Sequence, residues 1–165
     1  MNIRILSIAL LFGFGAQTGF GFDQATLDFV KQHKSLPRVD TAGKKGNEVD
    51  QLRERARDLS GANLAGADLS GANLYNANFT GANLSGANLS GTDLPWAQFV
   101  AANLTGADLT GAKFVHANFS SAMLTNANLK GANFDDARKE GNLRIWKSDL
   151  LEKGALNVDT VIGIN

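Results

Sequence analysis

From Leu59 to Phe134 every fifth residue is Leu or Phe, sixteen times in succession. An α-helix repeats its apolar face every 3.6 residues and a strand every 2, so a strict period of five fits neither. The chain must therefore change direction once per unit. Two residues before each large residue stands alanine, with Arg57 and Thr92 as the exceptions. Between them comes mostly Asn, and after the large residue usually Ser or Thr and then Gly. The small and the large residue, two apart, share the inward side, while the residue between them points out. Alanine suits the inner position because two bulky side chains per unit would overfill a narrow interior. Glycine tolerates positive φ and suits the turns.

If each unit is one side of a square, a full coil takes twenty residues, and stacking by twenty gives four columns. The first holds Leu59, Phe79, Phe99 and Phe119; the second Leu64, Leu84, Leu104 and Leu124. The third holds Leu69, Leu89, Leu109 and Leu129; the fourth Leu74, Leu94, Phe114 and Phe134. All five phenylalanines of the repeat fall in the first and fourth columns, which adjoin around the coil. That sorting favours stacked aromatic rings and supports an all-β solenoid of about four coils.

The run A-(N/D)-(L/F)-(S/T)-G between Leu59 and Ala137 resembles the pentapeptide-repeat family. The resemblance implies a right-handed quadrilateral β-helix. It also brings in one known role of the family, mimicry of DNA by an acidic rod that inhibits a topoisomerase-like enzyme.

An open solenoid needs its ends covered, and the flanks divide accordingly. Residues 1–21 read as a signal peptide: Arg4 is the basic start, Ile5–Ala16 the apolar stretch, and small residues follow up to Gly21. Twelve apolar residues of helix span about 18 Å, short of the roughly 30 Å hydrocarbon core, so cleavage is expected rather than retention as an anchor. The expected location is periplasmic or secreted. Residues 22–57 form an N-terminal extension and cap, with a short helix in FDQATLDFVKQHK ended by Leu36-Pro37. Residues 58–137 are the β-helix and 138–165 a C-terminal cap helix and tail. The helix is expected from Asn142 as N-cap to Gly154, with Leu143, Trp146, Leu150 and Leu151 on one face. That face either covers the last coil or forms a homodimer contact, extended by NVDTVIGIN as an added strand.

Formal net charge is zero, which gives no electrostatic reason to expect nucleic acid as a partner. The region 58–137 carries six acidic and two basic residues. Its outward position between Ala and Leu or Phe is Asn nine times and Asp four times, at Asp58, Asp68, Asp93 and Asp108. A DNA mimic needs carboxylates there; neutral asparagines suit amide ladders or bonds to backbone and water. With no cysteine there is no disulfide framework or thiolate metal site. Triplets such as Asn78-Phe79-Thr80 match the glycosylation sequon, but the repeat consensus generates them.

The turns carry more information. In the fourth column the residue two after the core position is never glycine: Asn76, Trp96, His116 and Asp136. The residues just before them are Tyr75, Pro95, Val115 and Asp135. In a twenty-residue coil these eight form one stripe along a single corner. Tyr, Trp and His combine an apolar body with a polar tip, a mixture suited to binding. The candidate recognition residues are therefore Tyr75, Asn76, Trp96, His116 and Asp136, with a protein of the cell envelope as the expected partner. The competing expectation is that a terminal extension docks on this corner. His116, Asp136 and Ser120 or Ser121 offer the residue types of a hydrolase, and His116 with Asp135 and Asp136 those of a metal site. A convex rod supplies neither pocket nor oxyanion donors, so no enzyme, cofactor or metal is expected.

Overall fold

The computed structural model describes residues 24–33, 57–139, 143–145 and 147–163. The expected signal peptide, the linker before Arg57, and Asn142 and Trp146 lie outside the described residues.

Successive coils pair in parallel at the outward Asn/Asp position. Asp58 bridges Asn78, Asn63 bridges Asn83, and the pattern continues every fifth residue to Asn118 with Arg138. Thirteen consecutive bridges are each twenty residues apart, as the column count requires. Each face offers a single bridging residue between turns, so the sheets are ladders of isolated bridges rather than long strands. The core N–H donates to the carbonyl of the bridging residue one coil on, and that residue's N–H donates back to the inward carbonyl of the preceding coil. Leu84 N–H, for example, reaches Asn103 O at 2.7 Å, while Asn103 N–H reaches Ala82 O at 2.9 Å. Face amides thus pair either one coil away or, as Ala87 N–H does with Leu84 O at 3.0 Å, across the turn of their own coil, which is how a rod without a broad sheet meets the requirement that buried amides be paired.

All sixteen Leu/Phe positions are buried, with the inward alanines between them except the partly buried Ala67. Thr92 takes an alanine position and stays buried because its hydroxyl donates to Leu89 O (2.6 Å) and lies 3.1 Å from Leu69 O. The phenylalanines stack as the columns imply: Phe79 on Phe99 at 5.0 Å and Phe99 on Phe119 at 4.8 Å, nearly parallel. Phe114 meets Phe99 and Phe119 edge-on at 5.7 and 5.1 Å, joining the first and fourth columns.

Helix α1 (Gln24–His33) precedes the coil, and its Val30 is fully buried in the same core cluster as Leu59.

The C-terminal end differs from the single helix expected. Arg138 still bridges Asn118, then the chain leaves the coil in a hairpin of β1 (Arg138–Lys139) and β2 (Leu143–Arg144). Only Lys147–Glu152 form a helix, α2. The extended exit from the first face carries the chain into strand pairing, so Leu143 belongs to β2 and not to the helix. Within α2, Leu150 is buried and Leu151 exposed. The tail then rejoins the coil: Leu156 bridges Asn128 and Ile162 bridges Asn133, on the third and fourth faces. The segment NVDTVIGIN is not the added strand expected for a dimer contact: Val158–Thr160 form a 3-10 turn, and within the segment only Ile162 bridges the coil, on its own chain. On the second face Lys153 Nζ donates to Ala122 O (2.8 Å), satisfying an edge carbonyl that no further strand reaches.

Candidate recognition corner

The geometry of the corner begins with the turns. All sixteen residues two after the core position have positive φ, from 51° to 68°. Nine are glycine. The other seven are Asn76, Trp96, Ala101, His116, Ser121, Asn126 and Asp136, so the fourth corner alone lacks glycine in every coil. Asn, Asp and His accept the left-handed region more readily than most residues, whereas a bulky Trp there is an outlier. Trp96 at φ 63° is therefore held against its backbone preference.

Pro95 explains how the turn accommodates it. Ala97 N–H donates to Leu94 O at 3.2 Å, and Trp96 occupies the positive-φ position of the four-residue turn. This is the pattern of a type II turn, in which proline pre-sets the second residue. Pro95 keeps its carbonyl in the stack, accepting from Asn76 N–H at 2.8 Å.

Three side chains of the corner form a connected chain. The Trp96 and His116 rings lie 4.3 Å apart at 32°, and His116 Nδ1 is 3.9 Å from Asp136 Oδ2. Tyr75 and Trp96 remain 48% and 49% exposed. Among the described residues no ring contact joins Tyr75 to Trp96, so the aromatic part of the stripe consists of one stacked pair and one separate phenol. At its C-terminal end the tail runs against the corner: a Cβ on Gly163 would lie 2.5 Å from Asp135 Cα and N. An extension therefore does dock here, at the Asp135 rung.

The outward ladders turn out as the asparagines suggest. Asn78 Nδ2 donates to Asp58 Oδ1 (3.1 Å), Asn118 Nδ2 to Gln98 Oε1 (3.2 Å) and Asn128 Nδ2 to Asp108 Oδ1 (3.3 Å). A second function of these residues is not evident from their spacing alone. Twelve of the thirteen Asn/Asp ladder residues accept the backbone N–H two residues ahead, closing an Asx turn at each corner. Asp93 is the exception, because Pro95 has no N–H to give. Its carboxylate instead faces Lys113 Nζ at 3.7 Å. The signal for this was in the sequence, as a proline two residues after an aspartate.

The residue types of a hydrolase do not assemble. Ser120 Oγ donates to Asn118 Oδ1 at 2.7 Å, inside its own turn, and the His116–Asp136 pair sits on a convex edge. Among the described residues no helix is long and apolar enough to cross a membrane.

A four-sided coil of five-residue units, closed at each corner by a type II turn, defines a class of repeat proteins. The Pentapeptide repeats family matches residues 58–94 and 102–138 in eight copies, so the coil is built of that family's repeats. The match is interrupted over residues 95–101, which include Pro95 and Trp96, although the bridges continue through Gln98. Among solved structures, a pentapeptide-repeat protein from Nostoc PCC 7120 is 27% identical, with a TM-score of 0.55, over 84% of this chain and 98% of its own. A pentapeptide-repeat protein from the Arabidopsis thaliana thylakoid lumen is 37% identical, with a TM-score of 0.49, over 62% of this chain. The chain spans 65% of the length of that protein. No curated protein matches in sequence.

Proposed function

We propose that this is an exported, non-enzymatic binding module, built on a right-handed four-sided coil, whose recognition surface is the corner of Tyr75, Asn76, Trp96, His116 and Asp136. The observation that carries the reading is the fourth corner's lack of glycine at four successive positive-φ positions. Non-glycine residues there cost about 1–2 kcal/mol each for an ordinary side chain, and less for Asn and Asp. A stability requirement alone would favour glycine, as in all four coils of the third corner. The corner instead presents an indole and a phenol, each about half in solvent, and aromatic side chains of this kind are favoured anchors in protein recognition. The partner is a protein of the cell envelope. The test is a pull-down from the envelope fraction, comparing the wild type with a Tyr75→Ser/Trp96→Ser variant. Loss of a specific partner with an unchanged melting curve is expected; a lowered melting temperature with the partner retained refutes recognition and assigns the corner to packing.

One observation supports a second contact, between two copies at the C-terminal end. The outward ladder position is polar or charged until the last rung of three of the four faces, where it becomes Met123, Leu156 and Ile162, all exposed and accompanied by exposed Leu151; the first face ends in Arg138. Sedimentation equilibrium of a Leu156→Ser/Ile162→Ser variant tests it: the wild type sediments as a dimer and the variant as a monomer, and equal masses overturn it.

A further inference from the structure

The release of Asp93 by Pro95 gives one rung of the corner a chemistry that the others lack. At the other Asn and Asp ladder positions a side-chain oxygen is occupied by a backbone N–H, as Asp108 Oδ1 is by Thr110 N–H at 3.0 Å. Asp108 also accepts from the Thr110 hydroxyl (2.6 Å) and from Asn128 (3.3 Å). The Asp93 carboxylate has, among the described residues, only Lys113 Nζ at 3.7 Å, with both side chains substantially exposed (42% and 62%). An exposed pair at that distance is weak, and it shows which sign of charge the site attracts. On the same turn stands the half-exposed Trp96 indole, fixed by its turn and by the His116 ring. Along the fourth face and its corner the carboxylates Asp93, Asp135 and Asp136 outnumber the one lysine, Lys113, with Asp136 facing His116.

We propose that the Pro95–Trp96 turn is a receptor for a basic side chain, arginine or lysine, presented by an extended segment of the protein partner. The proposal rests on the corner being a recognition surface and names the chemistry it selects. The cation takes its ion pair from Asp93 and packs on the Trp96 indole, which attracts cations through the negative face of its π-system. Lys113 is the chain's own competitor for the carboxylate. Proline contributes by removing the N–H that would otherwise hold the carboxylate in the turn.

Fluorescence anisotropy of labelled hexa-arginine on the full chain at low ionic strength tests this, with labelled hexa-glutamate as the opposite probe. Hexa-arginine is expected to bind and hexa-glutamate not to. Asp93→Asn weakens binding by about three- to fivefold, the range of an exposed ion pair reinforced by an aromatic face. Pro95→Ser keeps the carboxylate but restores the N–H found in the Ser60, Ser70 and Ser90 turns; it weakens binding as Asp93→Asn does. Lys113→Ala tightens binding. Asp108→Asn, which removes the same charge from an occupied carboxylate, leaves it unchanged. Equal loss in Asp93→Asn and Asp108→Asn reduces the effect to net charge and overturns the proposal, as does a Pro95→Ser variant with wild-type affinity. Failure of hexa-arginine to bind overturns it too, while leaving the Tyr75/Trp96 pull-down free to succeed independently. Melting curves of each variant separate loss of binding from loss of fold.

Discussion

The stacked phenylalanines allow a test of the coil register in solution. Phe99 lies between Phe79 at 5.0 Å and Phe119 at 4.8 Å, and meets Phe114 edge-on at 5.7 Å. Leucine fills the equivalent position throughout the second and third columns, so Phe99→Leu preserves the fold while deleting three ring pairs. At about 0.5–1.5 kcal/mol per aromatic pair, the expected cost of losing three is about 1.5–4.5 kcal/mol. Urea denaturation followed by far-UV circular dichroism measures it, provided the slope with denaturant stays constant across variants. Double-mutant cycles then separate contact from mere membership of the core. Phe79 and Phe99 are one coil apart, and Phe79→Leu with Phe99→Leu should couple by about 0.5–1.5 kcal/mol. Phe79 and Phe119 are two coils apart with Phe99 between them, so their coupling should fall within about 0.5 kcal/mol of zero. Equal coupling in the two cycles would refute the twenty-residue stacking on which the corner stripe depends.

Two further substitutions probe the backbone. Ala101 sits at φ 54° with its side chain exposed, so Ala101→Gly removes left-handed strain and is expected to stabilise the rod by about 0.5–1 kcal/mol after the entropy cost of glycine; a lowered denaturation midpoint contradicts this. Gly163→Ala places a methyl 2.5 Å from the Asp135 backbone and should lift the tail from the fourth face. Hydrogen exchange at the Phe134 amide, which donates to Ile162 O at 2.9 Å, should then accelerate while exchange at Leu84 stays slow; unchanged protection at Phe134 shows that the tail does not need glycine.

The coil was legible because its period is strict: every bridge from Asp58 to Arg138 falls where stacking by twenty places it. The ends were less so. Beyond Ala137 the chain leaves the repeat, and NLRIWKSDLLEK has a helical spacing of apolar residues that tertiary pairing overrides at Leu143. The return of Leu156 to Asn128, eight residues later than a twenty-residue step, has no periodic signal to announce it. The corner was legible as a departure from glycine, and its left-handed backbone follows from the neighbouring consensus. What the pattern did not reveal was the link from Pro95 back to Asp93. That link depends on a hydrogen bond specific to the ladder residues, and only the assembled turns display it as a rule with one exception.

The same rule bears on where such a rod can carry specificity. Inward positions are fixed by packing, and most outward Asn and Asp side chains are already spent on Asx turns and on one another. The turn positions remain, but glycine at positive φ leaves them without side chains. A column that gives up glycine in every coil therefore recovers outward chemistry at a backbone cost, and the fourth corner is the one that does so. Its Pro95–Trp96 rung goes further by also withdrawing a ladder residue from the scaffold. Two otherwise committed positions, the turn and the ladder, become available together there. A scaffold with no interest in that corner has no reason to give up both in the same turn.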